Sequence, residues 1–126
     1  MLVLDSGGVS RLAERSTQAA AIITVFKRDG LRPPIVPSVV LVECLSGRPD
    51  RDARTNQFLK TCDVEILLPE ARARRAAHLR GLARGGSAVD AVVVATAEPG
   101  GTVYGGDVDD LRSLAGHAAH VMVERA

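Results

Sequence analysis

The sequence predicts an α/β fold, with a central parallel sheet covered by helices on both faces. Three observations carry this expectation. Short apolar runs alternate with helical segments in the order β, α, β, α, α, β, α, α, β, α, β, and that alternation builds parallel sheets. The strand candidates, Leu2-Val3-Leu4 above all, are short and apolar, as strands buried on both faces must be. Two of them run into acids, at Asp5 and, past Gly105-Gly106, at Asp107. Open parallel sheets place their sites outside the carboxyl ends of strands at a topological switch, so the first and fourth strands are expected to be neighbours.

Each element has a local reason. Residues about 2–5 read as a strand ending at Asp5. Gly7-Gly8 turns the chain into one helix over about 9–28, with Leu12, Ala19, Ile22, Ile23 and Phe26 mostly on one face and Gly30 closing it. Pro33-Pro34 is a stiff link to the strand Ile35-Val36. Ser38 is placed to cap a helix over about 39–46 that Gly47 ends. Pro49-Asp50 starts a helix over about 51–61, and Val64-Glu65-Ile66-Leu67 reads as a strand. Pro69-Glu70 opens an Arg-rich helix running to about 84, and Gly85-Gly86 breaks the chain. Ser87 caps a helix over about 88–97 that is apolar on nearly all sides and therefore central. Pro99-Gly100-Gly101 turns into the strand Thr102-Val103-Tyr104. Asp107 begins a helix ending near Gly116, and Ala119–Val123 is the last strand.

Composition narrows the possibilities. The 126 residues fit a single domain spanning 1–126. Aromatics are 2% of residues and Trp is absent, so Ala, Val and Leu must pack the core, and a base-stacking platform for nucleic acid is disfavoured. All but Lys27 and Lys60 of the 16 basic residues are arginines, which suits bidentate contact with phosphate or carboxylate. Cys44 and Cys62 lack the spacing of a structural zinc site. No P-loop or GxGxxG pattern occurs. No leader-like segment precedes the first strand and no apolar stretch is long enough to span a bilayer, so a cytoplasmic location is expected.

Four carboxylates stand inside or at the end of apolar runs: Asp5, Glu43, Asp90 and Asp107. Three have a local structural role open to them. Asp5 suits an Asx turn, Asp90 follows Ser87 at capping-box spacing, and Asp107 suits a helix N-cap. Glu43 lies too far into its helix for such a box. Carboxylates gathered at one end of a sheet repel one another unless a cation intervenes. An all-oxygen ligand set points to a hard metal such as Mg²⁺ or Mn²⁺.

The segments Leu4-Asp5-Ser6-Gly7, Ser38 to Gly47 around Glu43, Ser87-Ala88-Val89-Asp90-Ala91 and Gly106-Asp107-Val108-Asp109-Asp110-Leu111 together resemble PIN-domain proteins, specifically the VapC-type toxin ribonucleases of toxin–antitoxin pairs. The resemblance runs in order along essentially the whole chain. It implies a three-layer α/β/α PIN-like fold, Mg²⁺- or Mn²⁺-dependent cleavage of RNA, a small VapB-like antitoxin as partner and a homodimer. It places Asp5, Glu43, Asp90 and Asp107 at the catalytic, metal-holding positions, with Asp110 as a further acid of the last motif. Two positions depart from the family: Gly7 stands where a Ser, Thr or Asn is usual, and Gly105 where a Thr or Ser is usual. Those hydroxyls belong to the surroundings of a metal site, where partners tune affinity.

Arg72, Arg74, Arg75, Arg80 and Arg84 cluster on one helix, and Arg72, Arg75 and Arg80 are candidate phosphate contacts for RNA. His78 reads as a surface or partly packed residue rather than a catalytic base, and His117 and His120 as structural ones. Two other readings stand beside the nuclease. One is a non-catalytic PIN scaffold that binds a partner protein, suggested by Gly7 and Gly105. The other is a phosphohydrolase using Asp5 as nucleophile, which Asp5-Ser6-Gly7 supports weakly because a second nearby Asp is missing.

Overall fold

A computed structural model describes all residues from Met1 to Ala126. Its sheet is built from β1 (Leu2–Leu4), β2 (Ile35–Pro37), β3 (Asp63–Glu65), β4 (Thr102–Gly105) and β5 (Met122–Arg125). The strand order is β3-β2-β1-β4-β5 and every pairing is parallel. The register between the central strands aligns Leu2 with Thr102, Val3 with Val103 and Leu4 with Tyr104. The chain leaves β1 toward β2 on one side, while β4 continues to β5 on the other. The expected switch point therefore lies between β1 and β4.

Helices form the outer layers. α1 (Ser6–Ala13) and α2 (Thr17–Arg28) connect β1 to β2. A 3₁₀ turn (Ser38–Val40), α3 (Leu41–Cys44) and α4 (Pro49–Leu59) connect β2 to β3. α5 (Glu70–Ala83) and α6 (Ala88–Ala97) carry the chain back across to β4, and α7 (Val108–Ala115) leads to β5. α1 packs with α2, α3 and α4, whereas α6 packs with α5, α7 and the three central strands. The result is the three-layer α/β/α arrangement with a central parallel sheet. No helix is long and apolar enough to cross a membrane.

The core is aliphatic, as the composition requires. Leu2, Val3, Leu4, Val36, Val93, Val94 and Val103 are fully buried in one cluster. α6 is buried from Asp90 through Ala97, which matches its all-round apolar sequence. The two aromatic rings that meet, Phe26 and Tyr104, pack edge to face with centroids 5.3 Å apart.

Four elements differ from the sequence reading. The single helix expected over 9–28 is two. Arg15 adopts φ 57° and Ser16 caps a new helix by accepting from the Ala19 amide at 3.0 Å, a local hydrogen bond that offers the chain a fresh start. Ser38 makes no capping hydrogen bond; it lies inside the 3₁₀ turn, and extended backbone at Leu45 ends α3 before Gly47 is reached. β3 stops at Glu65, leaving Ile66 and Leu67 79% and 71% exposed. β5 begins at Met122 rather than near 119, because the Ala119 amide is taken by the Glu98 carboxylate at 2.8 Å.

Candidate metal centre

β1 and β4 lie side by side, and each ends in a loop that delivers carboxylates to the same place. Asp5 follows β1 directly and caps α1, accepting from the Gly8 amide at 2.8 Å. It reaches across to the β4–α7 loop as well, where the Gly106 amide donates to its two oxygens at 3.3 and 3.1 Å. Asp5 is only 3% exposed. It thereby staples the two loops that frame the site. A carboxylate engaged in this way, in a buried position, is poorly placed as an attacking nucleophile, which weighs against the aspartyl-phosphate reading.

Both glycine departures belong to this staple. A Cβ on Gly105 would lie 2.5 Å from Asp5 Oδ2 and from Leu111 Cδ1. A Cβ on Gly7 would lie 2.7 Å from the backbone of Gly106. At Gly7 the two loops' backbones approach so closely that a side chain has no room, whereas at Gly105 the side chains of Asp5 and Leu111 would have to give way; backbone amides serve Asp5 instead.

Asp90 enters from α6. Ser87 caps that helix by accepting from the Asp90 amide at 3.0 Å, as the capping-box spacing anticipated. The amide is thus used and the carboxylate is left over. Asp90 is 5% exposed, and Ser87 is the one side chain that eases the charge on its carboxylate. Burial pushes it from the ordinary 3.8 up to about 6, and the charges of Asp107 and Asp5 add to the effect. Glu43 acts on Asp90 in the same direction, more weakly.

Asp107 and Asp110 complete the group from the start of α7. Asp107 occupies the N-cap position but makes no side-chain capping bond, so its plain structural role is not taken up. Desolvation raises it above its ordinary value, with Asp110 as the next cause. Oxygens of Asp90, Asp107 and Asp110 lie within 4.8 Å of one another. Carboxylates from two different elements therefore offer one compact all-oxygen ligand set, of the kind hard divalent ions take. None of the ion pairs in the chain involves Asp5, Glu43, Asp90, Asp107 or Asp110, so no internal cation balances the charge.

Glu43 stands apart. It is carried by the short α3, is solvent-exposed, and lies outside the compact group of three. The arginines of α5 are engaged elsewhere. Arg72 pairs with Glu65. Arg75 makes two 2.8 Å bonds to Glu98 and one of 3.3 Å to the His117 carbonyl. Glu98 follows the last residue of α6, about 12 Å along that helix from Asp90. Arg80 is the one beside the loop that leads to Asp90: its Nε donates to the Gly86 carbonyl at 2.9 Å. His78, His117 and His120 are exposed.

Asp52 escaped the sequence reading. It is 7% exposed and accepts from the Ser46 and Gly47 amides and from the Ser46 hydroxyl. The loop that folds back over the first turn of α4 takes up its charge, and no periodic pattern announces that. No family model matches the chain, and no curated protein matches it at a significant level.

Proposed function

We propose that the chain is a metal-dependent endoribonuclease of the VapC-like PIN type, acting in the cytoplasm as the toxin of a toxin–antitoxin pair. The observation that carries this reading is the uncompensated convergence of Asp90, Asp107 and Asp110 where β1 and β4 end. Those three would hold Mg²⁺ or Mn²⁺. Asp5 would fix the loops around the ion with lone pairs still available to it, and Glu43 would complete the acidic rim. A divalent ion bound there supplies an activated water and neutralises charge on a phosphoryl oxygen. The chain's own part is to keep the carboxylates close and ionised toward that ion, and to shut the apolar floor of α6 and β1 against bulk water.

Two surfaces suit the proposed partners. An apolar groove of about 410 Å³ between α1, α2 and α4, lined by Leu12, Ala19, Ile23 and Phe58 with Arg15 and Arg54 among its polar residues, offers a small antitoxin a place apart from the carboxylates. Exposed Val42, Ile66 and Leu67 follow the ends of the neighbouring strands β2 and β3 and suit a second copy.

The test is cleavage of RNA by the purified chain with Mn²⁺ or Mg²⁺ and with a chelator. Cleavage is expected only with metal, and Asp90→Asn is expected to abolish it while the chain still folds. Wild-type rates in that variant would defeat the assignment. The scaffold reading is favoured by Gly7 and Gly105, which leave no hydroxyl beside Asp5. It predicts no cleavage by the wild-type chain under any metal condition, but stable capture of a protein partner.

A further inference from the structure

We infer that Asp52 is a positioning residue that holds Glu43 at the rim of the acidic site. The inference rests on the metal-site reading above and adds to it a residue outside the carboxylate group. α3, which carries Glu43, has four residues and no side-chain cap at its N-terminus. A helix so short has little stability of its own, so its orientation must come from what holds its ends. On the N-terminal side it continues from the 3₁₀ turn and rests on α1. On the other side Leu45 is extended, and the chain runs directly into the loop that Asp52 grips.

That grip is complete. Asp52 Oδ1 accepts from the Ser46 amide at 2.9 Å and from the Ser46 hydroxyl at 2.8 Å. Oδ2 accepts from the Ser46 amide at 3.1 Å and from the Gly47 amide at 2.9 Å. The same Ser46 hydroxyl accepts from the Arg48 amide at 3.2 Å. No cation pairs with Asp52, so its charge is directed wholly at this loop. The amides hold it below the usual carboxylate range, which keeps it ionised wherever the site's own carboxylates are. The clamp closes three residues after Glu43. Half-buried Cys44 and extended Leu45 are all that separate Glu43 from the clamped loop.

The test is a Mn²⁺ titration by calorimetry on the full chain, comparing wild type with Asp52→Asn, Glu43→Gln and the double variant, with thermal melts alongside. Asp52→Asn is expected to weaken Mn²⁺ binding by about tenfold, the lower end for residues that orient ligands, while melting stays cooperative. Glu43→Gln is expected to weaken it as well. In the Glu43→Gln background the Asp52 change is expected to add nothing, because it acts through Glu43. A merely structural role would instead add its full loss in both backgrounds and overturn the inference. Unchanged binding in Asp52→Asn, or in Glu43→Gln, would overturn it too. Should Asp52→Asn fail to fold, Ser46→Ala removes only the hydroxyl's two bonds, to Asp52 and from the Arg48 amide, and takes its place in the same comparison, with the same outcomes counting for and against. A wild-type chain that binds no Mn²⁺ would bring down the metal reading itself, and this inference with it.

Discussion

Asp90 is the carboxylate most at odds with its surroundings, and its conflict is measurable without RNA. Its rise from 3.8 to about 6 comes first from burial and then from Asp107 and Asp5. A group raised on folding stabilises fully below its unfolded value and loses that contribution as pH climbs through its folded value. The metal-free chain should therefore lose stability between about pH 4 and 6. The change is no more than about 3 kcal/mol, reduced by screening from solvent that reaches the pocket. Asp107 is raised as well and steepens the slope. Asp52 and Glu98 are lowered from 3.8 and 4.5; they act with the opposite sign, and only Glu98 reaches into the acid edge of that window. Thermal melts from pH 4 to 7 in chelator should show the decline, Mn²⁺ should reverse it, and Asp90→Asn should flatten it in both conditions. A wild-type profile that is flat or rising across the window would contradict this account. At this scale part of the candidate site was legible. Asp5, Asp90 and Asp107 could be noticed because each breaks or ends an apolar run, and the burial that makes them costly is written in their neighbours. Asp52 sits among Pro49, Asp50 and Arg51, where a polar residue looks solvated, and only the returning loop makes it otherwise.

At the scale of elements, α5 shows how a charged helix can be fastened rather than presented. Arg72 ties it to β3, Arg75 ties it to the end of α6 and to the turn before β5, and Arg80 ties it to the loop entering α6. These contacts separate three arginines that a helical wheel would treat alike. Arg75 has its guanidinium committed to Glu98 at the far end of α6 from the carboxylates. Arg75→Gln should cost on the order of 1 kcal/mol in stability, since the pair is partly exposed, and should leave the salt dependence of RNA binding unchanged. Arg80→Gln removes a guanidinium beside the site loop and should lower the salt slope by about 0.7, one phosphate contact on a single strand. Binding measured across salt concentrations in an Asp90→Asn background, where RNA stays whole, distinguishes the two. Equal slopes in wild type and Arg80→Gln would remove α5 from the RNA path. α5 and α6 were legible from Pro69-Glu70, Gly85-Gly86, Ser87 and a composition uniform over several turns, and apolar periodicity played no part there. Periodicity missed the break between α1 and α2. Leu12, Ala19, Ile22 and Phe26 keep helical spacing through Arg15 and Ser16, while the decisive hydrogen bond, Ser16 to Ala19, is local and leaves no mark on the apolar pattern.

Across the whole molecule, topology gathers scattered acids into one candidate site, and the same open sheet leaves β3 and β5 as edges. The parallel order was foreseeable from alternation alone, and the neighbouring of β1 with β4 from the acids that follow them. The boundary of β3 was not. Ile66 and Leu67 continue an apolar run that looks like strand, yet both stand in solvent past the last paired residue. β3 is an edge strand, and an edge beside exposed apolar side chains invites pairing with another chain. Val42, also 79% exposed, precedes Glu43 on α3. A second copy covering Val42, Ile66 and Leu67 would bury all three and bring its surface next to the acidic rim, so assembly and activity should be linked. Sedimentation at micromolar concentration should then report a dimer for the wild-type chain. Ile66→Glu with Leu67→Glu should yield a folded monomer, because two charges cannot be buried there without partners. Mn²⁺ affinity should survive in that monomer, since Asp90, Asp107 and Asp110 come from α6 and α7 of a single chain. A wild-type monomer would refute the dimer, and loss of Mn²⁺ binding in the charged variant would show that the second copy completes the metal centre rather than merely covering its edge.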